Sequence, residues 1–102
     1  MEPSYDGSCP HQQIISLYHE ILPELPMVKV WTQKRAKQLR ARWMEQEKRQ
    51  CLEWWRKYFE YVRESAFLMG NNNRGWSPDL EWLTNQSNLT KVIEGKYHGS
   101  RV

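Results

Sequence analysis

Residues Gln50–Gly70 read QCLEWWRKYFEYVRESAFLMG, and the fold turns on how this run is placed. Leu52, Trp55, Phe59, Val62 and Ala66 recur at helical spacing, which predicts a helix from about Gln50 with one strongly apolar stripe. Trp54, Tyr58 and Tyr61 widen the stripe, so this helix is expected in the middle of the domain, touched from two sides. Gly70 supplies a natural stop, because glycine takes the left-handed cap conformation without strain.

Working back from that helix, Ile14, Leu17, Tyr18, Ile21 and Leu22 mark an amphipathic helix with Pro10 at its first position and Pro23 closing it. Pro23-Glu24-Leu25-Pro26 is biased toward an extended bend, and Met27–Trp31 is too short to define a strand. Thr32 is placed to cap a second helix running toward Met44. Its inner face carries Ala36, Leu39 and Trp43. Lys34, Arg35, Lys37 and Arg42 fall on the other side, with Arg40 at the margin.

Working forward, a polar loop from Gly70 to Gly75 leads to Ser77-Pro78, read as an N-cap and first helical residue. Leu80 and Leu83 share a face of the short helix that follows, and Trp76 sits where a hydrophobic staple would pin it. Ser87 is read as the cap of a last short helix carrying Leu89, Val92 and Ile93, stopped by Gly95. Helices under ~12 residues are marginal alone, so Trp76 and Trp82 are expected to clamp both onto the third helix. The fold expected is all-α: a small bundle of three main helices with two short C-terminal helices packed back. It occupies residues 10–98, between a flexible leader over 1–9 and a disordered tail over 99–102.

With 102 residues the chain forms one small domain, and its six Trp, five Tyr and two Phe must fill the core. Each buried aromatic removes roughly 150–250 Å² from water, so these suffice. No apolar run approaches the ~20 residues of a membrane span, and the basic and apolar regions of a secretory signal are missing. The two cysteines, Cys9 and Cys51, are far fewer than a disulfide-stapled secreted domain would use. The expectation is a cytoplasmic protein with no membrane contact. The sequons at Asn85 and Asn88 then read as capping chemistry rather than glycan acceptors.

Several chemistries are excluded by the residues. Cys9, His11 and His19 lack the second ligand pair of a structural zinc site. No nucleophile context surrounds either cysteine, and the glycines at 70 and 75 bracket asparagines with no strand before them, unlike a phosphate cradle. Glu45 and Glu47 fall on opposite sides of a helix and read as too exposed for tuned acid–base work. No catalytic residue, metal, cofactor or small-molecule substrate is expected, and the chain is read as a non-enzyme.

Charge is more informative. Residues 1–28 hold four acids and no Lys or Arg, whereas residues 29–49 hold eight basic residues against Glu45 and Glu47. The net charge of +3 therefore conceals one basic segment, a footprint for an anionic partner. Lys34, Arg35, Lys37, Arg40 and Arg42, with Arg74 in the loop, are the candidate nucleic-acid contacts; the bland alternative is a solvated helix face. Trp31, Tyr58 and Trp76 are the candidates for stacking single-stranded bases; the bland alternative is core.

The order of these elements resembles the C-terminal domain of replication proteins encoded by phages and prophages. The residues that carry the likeness are His11–His19 (HQQIISLYH), Leu22–Pro26, Trp31, Leu39–Trp43 (LRARW), Trp54–Phe59 (WWRKYF) and Phe67–Gly70. They continue with Trp76–Leu83 (WSPDLEWL), Asn88, Lys91-Val92 and Glu94–Tyr97 (EGKY), so the likeness runs over roughly residues 9–98. The last part also resembles the ends of DnaD-like primosomal proteins. Such replication proteins carry an N-terminal winged-helix domain and act around origin recognition, primosome assembly or helicase loading. No winged-helix segment precedes residue 9, so origin-specific recognition is not expected of these residues alone. The resemblance implies a non-catalytic domain that binds single-stranded DNA in primosome assembly or helicase loading. The alternative is a module that docks a replicative helicase or another primosome protein without binding DNA itself.

Overall fold

The computed structural model describes residues 9–98 and is all helical, with no strand among those residues. Three main helices, α1 (His11–Ile21), α2 (Gln33–Glu45) and α3 (Leu52–Arg63), are followed by two short ones, α4 (Leu80–Leu83) and α5 (Gln86–Ile93). A single 3₁₀ turn over Glu47–Arg49 joins α2 to α3. The leader and tail expected at 1–9 and 99–102 lie outside the described residues except for Cys9, which is buried against the core.

Helix α3 is the axis of the packing. Trp55, Phe59 and Val62 have no exposed surface, and Tyr58 is 4% exposed. On one side lies α1, with Ile14, Tyr18 and the following Leu22 fully buried and Tyr18 meeting Phe59 edge-on at 5.9 Å. The Trp55 indole N–H would be costly to bury unpaired; it donates to the Arg49 carbonyl at 2.9 Å, tying α3 to the 3₁₀ turn.

The bend after α1 is held from three directions. The Tyr18 hydroxyl donates to the Pro26 carbonyl at 2.5 Å, and Leu25 is buried. The Val28 N–H donates to His19 Nε2 at 3.0 Å. Arg63 at the end of α3 grips Glu24 with two hydrogen bonds, at 2.6 and 2.7 Å, and donates to the Ile21 carbonyl as well. Sequence alone marks the bend through its prolines. The fork of Arg63 fixes it in space.

Helix boundaries depart from the expectation at three places. The third helix ends at Arg63 rather than running on through Ala66, and Ala66 is exposed. Buried Ser65 is the cause: its hydroxyl accepts from the Leu68 N–H and donates to the Tyr97 carbonyl, so a side chain replaces the helical ladder. Leu68 then enters the core in place of Ala66. Gly70 is still a left-handed stop, with φ of 99°, but it closes the extra turn over 66–70, where Asn71 N–H reaches back to the Ala66 carbonyl. The fourth helix is capped by Asp79, whose side chain accepts from Trp82 N–H at 2.9 Å, not by Ser77. The fifth is capped by Asn85, accepting from Asn88 N–H at 3.1 Å, not by Ser87. In both, an Asx oxygen directly before the first helical residue reaches the third amide of the helix, the geometry a cap requires. No helix among the described residues is long and apolar enough to cross a membrane.

Two outcomes follow from this packing. Trp55→Ala should cost about 3–5 kcal/mol, lowering the thermal midpoint by roughly 12 °C or more. A melt followed by circular dichroism within a few degrees of wild type would show that Trp55 is not central. The second concerns acid. Hydrogen bonds from Arg63 hold the Glu24 carboxyl down at about 2, below its ordinary 4.5. A carboxyl depressed by folding stabilises the fold above its ordinary value and loses that contribution as pH falls through the folded one. The urea midpoint of Glu24→Gln should therefore lie below wild type at neutral pH, with the gap closing between about 4.5 and about 2. Because the pair is exposed, the gap is small, and a gap unchanged at pH 2 would contradict the assignment.

Candidate nucleic-acid interface

At about 100° per residue, α2 divides into three faces, and each does something different. Leu39 and Trp43 enter the core. Arg35, Gln38 and Arg42 face α4. Lys34, Lys37 and Arg40 point outward and are exposed, and among the described residues they make no ion pair.

The face toward α4 explains how a four-residue helix survives. The last four carbonyls of any helix lack partners within it. Here the Glu81 carbonyl accepts from Gln38 Nε2 at 2.7 Å, Trp82 from Asn88 Nδ2 at 3.1 Å and Leu83 from the Tyr58 hydroxyl at 2.6 Å. The Thr84 carbonyl takes a longer contact, 3.4 Å, from Arg42 Nη1. Buried Thr84 closes the set by accepting from Gln38 Nε2 at 2.8 Å through its hydroxyl. Donors from α2, α3 and α5 thus converge on one stretch of largely buried backbone.

This arrangement corrects part of the expected interface. Arg35 pairs with Glu81 at 2.8 Å and donates to the Val30 carbonyl, so it fastens the start of α2 to α4. Arg42 is 11% exposed and pairs with Glu45 at 3.0 Å. Both guanidiniums have partners within the fold, and the Arg35 side chain stays a third exposed. Tyr58 cannot stack a base, since its ring is buried, lies parallel to Trp54 at 5.4 Å and spends its hydroxyl on Leu83. Burial also pushes its hydroxyl well above the ordinary tyrosine range. Trp31 is half-buried with its edge against the His11 ring at 5.9 Å, a joint between α1 and α2.

Glu45, read as an idle surface acid, organises a cluster. One of its oxygens pairs with Arg49 at 2.8 Å, and the other pairs with Arg42 at 3.0 Å and accepts from Gln86 Nε2. Arg49 is buried, and its guanidinium lies 5.2 Å from the Trp54 ring centre. The spacing of Arg42, Glu45 and Arg49, three and four residues apart, is visible in sequence, but Gln86 joins them only once α5 is in place. Cys9, His11 and His19 serve the fold: burial pushes the Cys9 thiol up to about 12, His11 Nε2 meets the Ala36 carbonyl, and His19 accepts from Val28.

Arg74 and Trp76 come together on a different surface. Asn72 knots their loop: its Oδ1 accepts from the Arg74 and Trp76 amides, and its Nδ2 donates to the Phe67 and Trp76 carbonyls. Gly75, at φ of 64°, supplies a turn that other residues reach only with strain. Phe67 and Trp76 lie 5.8 Å apart, 42% and 36% exposed. Behind them Tyr97 lies nearly parallel to Phe67 at 5.7 Å, and Trp82 meets Trp76 edge-on at 5.1 Å. Phe67 escaped the sequence reading because a lone Phe on an apolar run reads as core.

The division of α2 can be checked by stability alone. Arg42→Ala should cost about 1–3 kcal/mol, since it strips a donor from Thr84 and a partner from Glu45. Lys37→Ala should stay within about 0.5 kcal/mol of wild type in chemical denaturation. Equal losses would mean that the two faces are not distinct. Comparison with protein-family models, with curated proteins and with solved structures finds no match to this chain.

Proposed function

We propose that this is a non-catalytic DNA-replication domain that holds the backbone of single-stranded DNA through the outward face of α2. The observation that carries the reading is the grouping of Lys34, Lys37 and Arg40 on that face. All three are exposed, while Arg35 and Arg42 beside them are tied into the fold. Cations left with their charge toward solvent on one helical face are what phosphate neutralisation needs. The resemblance of residues 9–98 to phage and prophage replication proteins supports the same reading, and points to primosome assembly or helicase loading in the cytoplasm as the setting.

A second reading has its own observation. Met27 and Val30 are 64% and 62% exposed on the extended segment before α2, beside Lys29. Apolar side chains held out on an extended segment fit a protein partner such as a replicative helicase or another primosome subunit.

Titration with single-stranded oligonucleotide decides between them. Three phosphate contacts at roughly −0.7 each give a log–log salt slope near −2. Lys37→Glu with Arg40→Glu should flatten that slope and weaken all oligonucleotide sequences alike, because phosphate contacts carry no base information. Wild type that fails to bind at ~50 mM salt, where such a face is near its strongest, overturns the DNA reading in favour of the docking one.

A further inference from the structure

We infer that the groove between Phe67, Trp76 and the Asn71–Arg74 loop is a nucleobase site, which would add base recognition to the backbone grip proposed for α2 and rests on that reading. The groove is open to solvent and has a volume of about 630 Å³, within the range of small-ligand sites. Its lining holds two aromatic rings, three carboxamides and one guanidinium, with no carboxylate. Such a surface repels no phosphate and offers a cation to one.

Each part has the chemistry a base requires. The Phe67 and Trp76 rings are braced from behind by Tyr97 and Trp82, so their free surfaces are presented rather than collapsed into the core. A base laid against them gains stacking without asking the protein to rearrange. Asn72 uses both donor and acceptor positions of its amide inside the loop, so it is scaffold. Asn71 and Asn73 are exposed, and their side chains make no hydrogen bond among the described residues. A carboxamide carries an acceptor and two donors in one plane, the same alternation that base edges display. The Arg74 side chain is likewise exposed and unpaired among the described residues, placed to meet the phosphate next to a stacked base or to stack on it. Asn72 is thus a knot whose effect is to hold two amides and a guanidinium around two ring faces. The side chains of Asn71, Asn73 and Arg74 take no part in holding the loop, which the Asn72 amide and the backbone bonds of Asn71 and Gly75 secure among the described residues.

The probe is oligothymidylate set against an abasic oligonucleotide of the same length, with the full chain. Oligothymidylate should bind tighter by on the order of tenfold, and Trp76→Ala should erase that difference while leaving the salt slope intact. Because Trp76 also braces Trp82, a second variant, Asn73→Ala with Arg74→Ala, touches only exposed side chains and should narrow the same difference with an unchanged thermal melt. The dinucleotide TpT at millimolar concentration, followed by the Trp76 indole N–H resonance, reports the groove without the α2 face. A shift that survives Lys37→Glu with Arg40→Glu supports the base site. Equal binding of abasic and thymidylate strands by wild type, or a Trp76 resonance that TpT leaves in place, overturns it. The α2 reading then stands or falls on its salt slope alone. Loss of the slope with the TpT shift retained sinks the backbone grip and keeps the groove.

Discussion

Four consecutive carbonyls, from Glu81 to Thr84, set the terms for the rest of the molecule. They end a helix of one turn, which has no stability of its own, and buried carbonyls without partners would cost more than such a helix gains. The fold satisfies them with Gln38 and Arg42 from α2, Tyr58 from α3 and Asn88 from α5. Three elements distant in sequence are thereby held at one place. The apolar contact of α1 with α3 is the most extensive between two helices, but it does not by itself say where the C-terminal third should sit. The polar convergence at α4 does.

That convergence also sorts the charges. A basic helix has no intrinsic reason to use some of its arginines inward and others outward. Once Glu81 and Thr84 are positioned, Arg35 and Arg42 find carboxylate and carbonyl partners within the fold. Lys34, Lys37 and Arg40, a third of a turn away, have none of these partners. The charge left open to solvent is what the fold did not use. The same holds for the aromatics: Trp55 and Tyr58 are consumed by the core, and Phe67 and Trp76 are left with open faces.

Much of the architecture was legible because it rests on periodicity. The stripe of Trp55, Phe59 and Val62 is visible in sequence, as are the Thr32 cap and the Gly95 stop, where φ is 82° and Lys96 N–H returns to the Lys91 carbonyl. What stayed hidden depends on meetings between distant residues. Ser65, where α3 has ended, joins the Leu68 amide beside it to the distant Tyr97 carbonyl. Arg42 and Lys37 look alike in sequence, and their separation into strut and open cation needs α4 in place. Ser77 and Asp79, or Ser87 and Asn85, are equally good caps by residue type, so spacing alone could not choose between them. The Phe67–Trp76 groove was half visible: Arg74 and Trp76 stand two apart, but Phe67 joins them only through the turn that Gly70 closes.

The hub at α4 has a consequence for how such a sequence can drift. Residues that satisfy one shared stretch of backbone are not independent, since loss of one donor loosens the grip of the others. A lineage in which Gln38, Tyr58 and Asn88 were exchanged one at a time would pass through variants weaker than either end point. Compensated changes, in which two or three of these positions shift together, are the passable route. Lys34, Lys37 and Arg40 stand outside that constraint and can change singly with little effect on folding. Selection for folding therefore acts unequally on neighbouring residues of one helix, and α2 should evolve at two speeds along these two faces.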